Sequence, residues 1–225
     1  MTKVVDLTGM RELIERGAQL VEVLPREEYE EQHIPGAVSH PLKDLDVARA
    51  EQLDRARPVV VYCWDALCDM SPRAAAWLEQ LGFDAYDYAL SKVDWMAHGL
   101  PMEGALASAA TAGSFARDDV ATCGLDDGAT EIRRRIQASP YGFALVLADG
   151  VVLGRVRGSR MDDAPQDATA KLLLEPGPST TRPHKDPVEL ARRLRSAEAT
   201  VAIVTSPEGV LIGVVRGEDL PGTGD

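Results

Sequence analysis

A duplication in the second half of the chain most constrains its fold. ALVLADGVVLGRVRGSRM at 144–161 is repeated as AIVTSPEGVLIGVVRGEDL at 202–220, and ATCGLDDGATEIRRRI at 121–136 corresponds to STTRPHKDPVELARRL at 179–194. Each copy predicts a strand, a helix, two strands joined by a glycine turn, and a short final helix. We therefore expect a pseudo-symmetric α+β pair whose copies bury their apolar faces against each other.

The first half alternates short apolar runs with a helical pattern. QLVEVL at 19–24, PVVVYC at 58–63 and FDAYDY at 83–88 predict strands, and SPRAAAWLEQLG at 71–82 predicts a helix that ends before Gly82. Ser71 is the expected N-cap and Pro72 the expected first helical residue. Strand, helix and strand with short connections predict an α/β domain with a parallel sheet and right-handed crossovers.

Composition suggests where one domain ends and the next begins. HGLPMEGALASAATAGS at 98–114 is rich in Gly, Ala and Ser, as linkers often are. We expect a first domain at 1–104, a linker at 105–113 and the duplicated pair at 114–225. The two copies of the pair would occupy roughly 114–164 and 165–221.

Charge and hydropathy exclude several classes of partner. The net charge is −12 and no basic stripe is present, so we expect no nucleic-acid partner. No apolar run approaches the roughly 20 residues of a membrane span, and the N-terminus lacks a signal-peptide pattern. We therefore expect a cytoplasmic protein without a membrane partner. Three cysteines in a reducing compartment do not predict a disulfide framework.

Two of the three cysteines lie in VVVYCWDALCDMSPRAA at 59–75. Ligands bind at the carboxyl ends of parallel strands, and a helix N-terminus stabilises a thiolate and other anions. This placement predicts nucleophilic attack by a cysteine, with backbone amides around a bound anion or persulfide. The alternative is that both thiols are small buried apolar groups. No zinc-ligand spacing is present, so we expect no metal.

Three motifs in this half resemble the rhodanese-like family. They are LVEVLPREEYEEQHIPGAVSHPL at 20–42, the cysteine strand, loop and helix at 59–83, and DWMAHGLPME at 94–103. The resemblance implies a three-layer parallel-sheet domain with a catalytic cysteine that carries a persulfide. Alignment by the strand makes Cys63 the nucleophile, whereas CDMSPR gives the family spacing from Cys68 to Arg73. Cys68 would be either the alternative nucleophile or a thiol that releases sulfur by forming a disulfide.

The duplicated half resembles a tandem of CBS domains, which commonly bind adenine nucleotides. GVLIGVVRGEDL at 209–220 is similar to the family's final strand and helix entry. The resemblance implies Asp219 on the ribose hydroxyls and Arg216 on phosphate, with Thr180 or Thr181 contributing from PSTTRP. The first copy has arginines, Arg157 and Arg160, at the positions of Arg216 and Asp219. The alternative is a pair that serves only as a dimerisation or scaffold unit.

Together these features predict a sulfurtransferase or persulfide carrier with a regulatory module. Its partners would be a sulfane-sulfur donor and a thiol or other nucleophilic acceptor, and the CBS pair would form a homodimer. No cofactor is required, and AMP, ADP or ATP would be the ligand of the pair. The competing interpretation is a non-catalytic sensor in which the two cysteines respond to redox or sulfur state.

Overall fold

Five parallel strands form the sheet of the first unit, in the order β1-β5-β4-β2-β3. The computed structural model describes residues 2–161, 164, 165 and 167–222, and divides into two units, Met1–Ala109 and Ala110–Asp225. The elements of the first unit are β1 Lys3–Val5, α1 Leu7–Glu15, β2 Gln19–Glu22, α2 Arg26–Glu31, β3 Val38–Ser39, α3 Val47–Ala50, β4 Val59–Tyr62, α4 Met70–Gln80, β5 Ala85–Tyr88 and α5 Ser91–Ala97.

The first unit has three layers, because each face of its sheet packs on different helices. On one face, Val59 and Val61 of β4 pack with α4 and Ala50 of α3. On the other face, Val60 and Tyr62 pack with α1 and α5. All four residues of β4 are buried, which explains the continuous apolar run in the sequence. The α/β class predicted for this half is confirmed.

The second unit contains two repeats of the predicted order. Its elements are β6 Ala121–Cys123, α6 Ala129–Gln137, β7 Phe143–Ala148, β8 Val151–Arg157, α7 Ala170–Leu173, β9 Glu175–Pro176, β10 Thr180–Thr181, α8 Pro187–Ser196, β11 Val201–Thr205 and β12 Leu211–Arg216. In each repeat the first strand pairs in parallel with the second, and the second pairs antiparallel with the third. Both hairpins change register at equivalent positions, after Val146 and after Val204. The α+β pair with internal pseudo-symmetry is therefore confirmed.

The two repeats meet at equivalent turns. The amide of Val152 donates to the carbonyl of Gly209 at 2.9 Å, and the amide of Leu211 donates to the carbonyl of Gly150 at 2.9 Å. Gly150 and Gly209 both have left-handed backbone, at φ 80° and 84°. Because each hydrogen bond maps onto the other when the repeats are exchanged, the contact is a local pseudo-twofold axis.

Each repeat is completed by the segment that precedes the other one. The amides of Ala112 and Gly113 donate to the carbonyls of Lys185 and Pro183 in the second repeat. At equivalent positions, Ala170 and Lys171 donate to Asp127 and Leu125 in the first repeat. The segment expected as a linker, 105–113, thus overlaps the second unit at its end, where Ala112–Phe115 forms a 3₁₀ turn.

Candidate active site and ligand clefts

The predicted nucleophile Cys63 directly follows β4 and is 0% exposed. Its amide donates to the hydroxyl of Ser91 at 3.0 Å, and that hydroxyl donates to the carbonyl of Tyr88 at 2.9 Å. Ser91 holds this position with a left-handed backbone, at φ 59°, which is unusual for a residue with a side chain. The end of β4 is therefore fixed to the end of β5 by one serine.

The Cys63 sulfur lies between hydroxyl and carbonyl groups. Its Sγ is 3.4 Å from Ser71 Oγ and 3.7 Å from Ser91 Oγ. Two carbonyl oxygens, of Cys68 and Asp65, lie at 3.6 and 3.9 Å. Hydroxyls can donate to a thiolate, whereas carbonyls can only accept from a thiol. The sulfur is therefore surrounded by both hydrogen-bond donors and hydrogen-bond acceptors.

The prediction of Ser71 as the N-cap of helix α4 is wrong by two residues. α4 begins at Met70, and Asp69 occupies the N-cap position without a side-chain hydrogen bond. Ser71 is buried in the first turn because its hydroxyl points inward to Cys63 rather than to the helix amides. Pro72 is tolerated there, since first-turn amides have no partner within a helix.

Cys68 is half-buried and lies against Cys63. Burial and a hydrogen bond with the Cys63 thiol raise the pKa of Cys68, although the amides of Met70 and Trp64 oppose this shift by donating to its sulfur. The structure thus directs the loop amides at Cys68 and places hydroxyls beside Cys63. Both cysteines are free thiols.

Arg73, the third residue predicted for the catalytic loop, does not lie beside the cysteines. Its exposed guanidinium pairs with Asp69 at 3.5 Å, one helical turn earlier. It also borders a largely apolar cavity of about 460 Å³ together with Met70, Trp77 and Leu45. The structure therefore joins Cys63 and Cys68 but turns Arg73 outward.

Three buried polar residues outside the predicted catalytic set, Glu22, Asp87 and Lys92, support the site. Lys92 and Glu22 form a fully buried ion pair at 2.8 Å, and Lys92 also donates to the carbonyls of Gln32 and Glu28. Burial raises the pKa of Glu22, and the hydrogen bond from Lys92 opposes that shift. Asp87 is buried in strand β5, and burial raises the pKa of its carboxyl group, whereas Ser71 opposes that shift. A carboxylate inside an otherwise apolar strand was the available signal for Asp87.

The four residues predicted for the nucleotide do not line one cavity. Thr180 and Thr181 form β10 and pair with β11, and Arg182 donates to Thr205 Oγ1 at 2.6 Å beside them. Asp219 pairs with Arg117 at 2.8 Å. Arg216 borders a cavity of about 370 Å³.

A second cavity of about 470 Å³ lies beside it in the same unit. Tyr141, Thr200 and Val201 border both cavities, and Arg155, Arg157 and Ser179 line the second one. The guanidinium of Arg216 lies 5.1 Å from the centre of the Tyr141 ring. Aromatic and cationic groups thus meet in adjoining clefts.

Among the described residues, no helix is both long and apolar enough to traverse a bilayer. Clusters of three or more His, Cys, Asp or Glu side chains that could hold a metal ion are likewise absent from the described part of the chain.

Comparison with known proteins agrees with the architecture of the first unit. Residues 7–98 match the family model of the rhodanese-like domain, so this segment is a rhodanese-like domain. The chain is 38% identical over 84 residues to the HTH-type transcriptional regulator Rv0324 of Mycobacterium tuberculosis. This match covers 37% of the chain and 37% of the regulator, so the chain spans well under half the length of that relative.

Solved structures resemble each half separately. The rhodanese-like domain of the Anabaena sp Alr3790 protein is 26% identical, with a TM-score of 0.43 over 48% of this chain and 84% of that one. The CBS domain of a bacterial CNNM/CorC family Mg²⁺ transporter, solved in complex with ATP, is 18% identical. Its TM-score is 0.42 over 49% of this chain and 83% of that chain. The two-repeat architecture expected of a CBS pair is present in the second unit.

Proposed function

We propose that the first unit carries sulfane sulfur on Cys63. The observation that carries the proposal is the position of the Cys63 sulfur at the end of β4, 3.4 Å from the hydroxyl of Ser71 at the start of α4. A hydroxyl that donates a hydrogen bond stabilises an anionic sulfur. The rhodanese-like domain match adds support, because it covers this strand, loop and helix.

The chemistry requires no group beyond the two reactants. The Cys63 thiolate attacks the outer sulfur of a donor persulfide, R–S–SH. A bond forms between Cys63 Sγ and that sulfur, the donor S–S bond breaks, and its electron pair leaves with the R–S⁻ thiolate. An acceptor thiolate then attacks the outer sulfur and regenerates the Cys63 thiolate.

Cys68 would control access to this sulfur. Cys63 is fully buried, and the half-buried Cys68 thiol contacts it from the loop. The loop also bears Leu67, which is 93% exposed and does not anchor it to the core. We propose that the loop opens around Leu67 to admit the donor. Asp65 and Asp69 on the same loop disfavour a doubly charged donor such as thiosulfate, so an organic persulfide is the better candidate.

Mass spectrometry of the intact protein and its peptides tests this role. The full chain is treated with an organic persulfide, and the wild type is compared with Cys63→Ser and Cys68→Ser. We expect one added sulfur atom on the peptide of Cys63, retained in Cys68→Ser and absent from Cys63→Ser. Label on Cys68 alone, or no label with any donor, would contradict the assignment.

The packing of Cys68 against the core cluster that contains Cys63 favours a sensor as the second candidate. A mild two-electron oxidant such as hydrogen peroxide would join Cys63 and Cys68, with loss of two hydrogen atoms. A stable disulfide in a protein that accepts no sulfane sulfur would support the sensor. Sulfur uptake without this disulfide would support the carrier.

We also propose an adenine nucleotide as ligand of the second unit. Its cavity of about 470 Å³ has a suitable volume, with Tyr141 for the base and Arg155 and Arg157 for phosphates. Calorimetric titration with AMP, ADP and ATP tests this. Arg155→Gln should weaken binding at least tenfold, whereas Thr180→Val, in β10 outside that lining, should leave it unchanged. Equal affinity of both variants would contradict this location.

A homodimer through the second unit is a further part of the proposal. Leu172 and Val188 are exposed apolar side chains on α7 and α8. Light scattering during gel filtration should give twice the chain mass, and Leu172→Gln should shift the protein towards the monomer. A monomeric wild type would exclude the dimer.

A further inference from the structure

The largely apolar cavity of about 460 Å³ in the first unit lies beside the cysteine loop. Its walls come from the segments that follow β2 and β3 and from the side of α4 that carries Met70, Arg73 and Trp77. The sheet order places β2 next to β4, the strand that ends before Cys63. Ligands of open α/β sheets bind at the carboxyl ends of the strands, and this volume suits a small organic molecule.

The walls of the cavity adjoin the sulfur site. The amide of Val23 donates to the carbonyl of Tyr62 at 3.1 Å, and Tyr62 directly precedes Cys63. Val23 belongs to the core cluster that contains Cys63, and Met70 and Cys68 both pack against that cluster. A molecule bound in the cavity is therefore held next to the loop that covers the Cys63 sulfur.

The apolar walls are held in place before any ligand binds. Pro25 and Pro41 line the cavity, and proline has a fixed φ and no N–H group to satisfy. The side chain of Trp77 is 38% exposed, and its Nε1 donates to the carbonyl of Leu45 at 2.9 Å. Because this hydrogen bond fixes the indole, the ring offers a rigid apolar surface to a ligand.

The charge of the lining selects the kind of ligand. Among the described residues that line the cavity, those with a charge are Lys43 and Arg73, both cationic, although the chain has a net charge of −12. Arg73 pairs with Asp69 at 3.5 Å, and the two side chains are 63% and 76% exposed. Such an exposed ion pair contributes little to stability, so a ligand carboxylate can replace Asp69 at little cost. A guanidinium binds a carboxylate through two parallel hydrogen bonds.

We propose that this cavity binds the organic part of the donor persulfide, and that the preferred donor has an apolar body with one carboxylate. Trp77 and Met70 contact the apolar body, and Arg73 and Lys43 bind the carboxylate. The proposal rests on the sulfur-carrier role proposed above and names the class of donor for that site. This donor differs from thiosulfate because its carboxylate binds at Arg73, away from its sulfur atoms. The transfer step is the displacement already described.

Nitrogen-15 NMR of the full chain with 3-phenylpropionate, which has the apolar body and the carboxylate but no sulfur, tests the cavity. The indole N–H signal of Trp77, identified by its loss in Trp77→Phe, should shift as this probe is added. The signal of Trp95, whose indole donates to the carbonyl of Pro101 in the cluster on the other face of the sheet, should not shift. The neutral 3-phenylpropionamide should bind at least about tenfold more weakly, because it lacks the charge-assisted hydrogen bonds.

Two substitutions beside the cavity should act in opposite directions. Arg73→Gln should weaken binding of 3-phenylpropionate at least about tenfold, because it removes the guanidinium. Asp69→Asn should strengthen binding about twofold to fivefold, because it removes the competing carboxylate. Arg11→Gln is the matched control, since Arg11 is an exposed arginine of α1, which packs on the other face of the sheet. It should leave the affinity unchanged.

Three results would overturn the cavity as the donor site. They are an unshifted Trp77 signal, an affinity that neither Arg73→Gln nor Asp69→Asn changes, and equal binding of the probe and its amide. A Trp77 signal that moves with protein concentration rather than with the probe would place a second copy of the chain in the cavity, and would overturn the proposal as well.

A comparison of two donors separates this inference from the carrier role. The persulfides of 2-mercapto-3-phenylpropionate and of 2-phenylethanethiol differ in the carboxylate, and mass spectrometry follows sulfur on the Cys63 peptide over time. Faster transfer from the first donor, lost in Arg73→Gln, would support the inference. Equal rates from both donors would leave the carrier and remove the donor site. Binding of 3-phenylpropionate at Trp77 without sulfur uptake from either persulfide would leave an organic-anion site and remove the carrier.

Discussion

The guanidinium of Arg117 lies 2.8 Å from the carboxylate of Asp219. The equivalent pair in the other repeat is Glu175 and Arg160, at 3.2 Å, with the charges exchanged. The equivalence follows from the pairing of Arg117 with Val214 and of Glu175 with Arg155, because Val214 and Arg155 occupy matching positions of β12 and β8. Equivalent positions of the two repeats thus carry an ion pair in which the acidic and the basic residue have changed places.

The exchanged polarity predicts that this position tolerates a charge swap. Arg117→Asp should lower the free energy of unfolding of the second unit by about 1 kcal/mol, since it places two carboxylates together at a partly exposed site. Arg117→Asp combined with Asp219→Arg should recover most of that loss. Urea unfolding measures the difference, and a double variant less stable than the single one would show that the polarity is fixed.

Close backbone packing at Gly213 predicts a severe effect of one methyl group. A Cβ at this position would lie 2.7 Å from the carbonyl oxygen of Arg117. Gly213→Ala should therefore cost about 1–3 kcal/mol of stability through overpacking. Gly124→Ala, where a Cβ meets no atom within 4 Å, should change stability by less than about 0.5 kcal/mol. Similar thermal midpoints for the two variants would be inconsistent with this packing.

The buried ion pair of Glu22 and Lys92 at the end of β2 predicts that losing one partner destabilises the protein more than replacing both. Glu22→Gln leaves the Lys92 ammonium buried without its counter-charge and should cost about 3–5 kcal/mol. Adding Lys92→Met should recover part of this loss, because the second change removes the uncompensated charge. Glu30→Gln, at an exposed pair with Arg26, should cost less than about 0.5 kcal/mol. Urea denaturation of the four proteins provides the comparison.

Acid sensitivity of the first unit should depend on His40. Burial, and to a lesser extent the charge of Arg49, lower the pKa of His40 from its ordinary value of 6.5. The unfolded chain then binds the proton first, so stability is complete above pH 6.5 and falls below it, by at most about 1.4 kcal/mol per pH unit. His40→Gln should flatten this slope in unfolding measured between pH 7 and pH 5. An unchanged slope would place the acid sensitivity elsewhere.

The strands and the duplication could be predicted because their signals are local. QLVEVL, PVVVYC and FDAYDY contain β2, β4 and β5, and the repeat offset anticipated the matching hairpins. The direction of the Ser71 hydroxyl could not be predicted, because capping and an inward hydrogen bond are equally compatible with the sequence around it. The partner that decides between them, Cys63, follows strand β4 and meets Ser71 only in the folded protein. The roles of Cys63, Cys68 and Arg73 in sulfur transfer stay predictions.

The segments that complete the two repeats could not be recognised as equivalent from the sequence. AGSFAR at 112–117 and AKLLLE at 170–175 share only their first residue, so similarity alone does not align them. Their equivalence rests on backbone hydrogen bonds, which any residue except proline can donate. A comparison of sequence patterns therefore could not predict which repeat each segment pairs with.

This exchange of segments imposes an order of events on protein synthesis. As the chain leaves the ribosome, Ala112 and Gly113 emerge about 70 residues before the carbonyls of Pro183 and Lys185 to which they bind, and the first repeat receives Ala170 and Lys171 only late. The first repeat can therefore close only after Ala170 and Lys171 have emerged, and the second repeat uses a segment that was synthesised before the first one. Separately produced fragments covering the two repeats should remain incomplete alone and assemble when mixed.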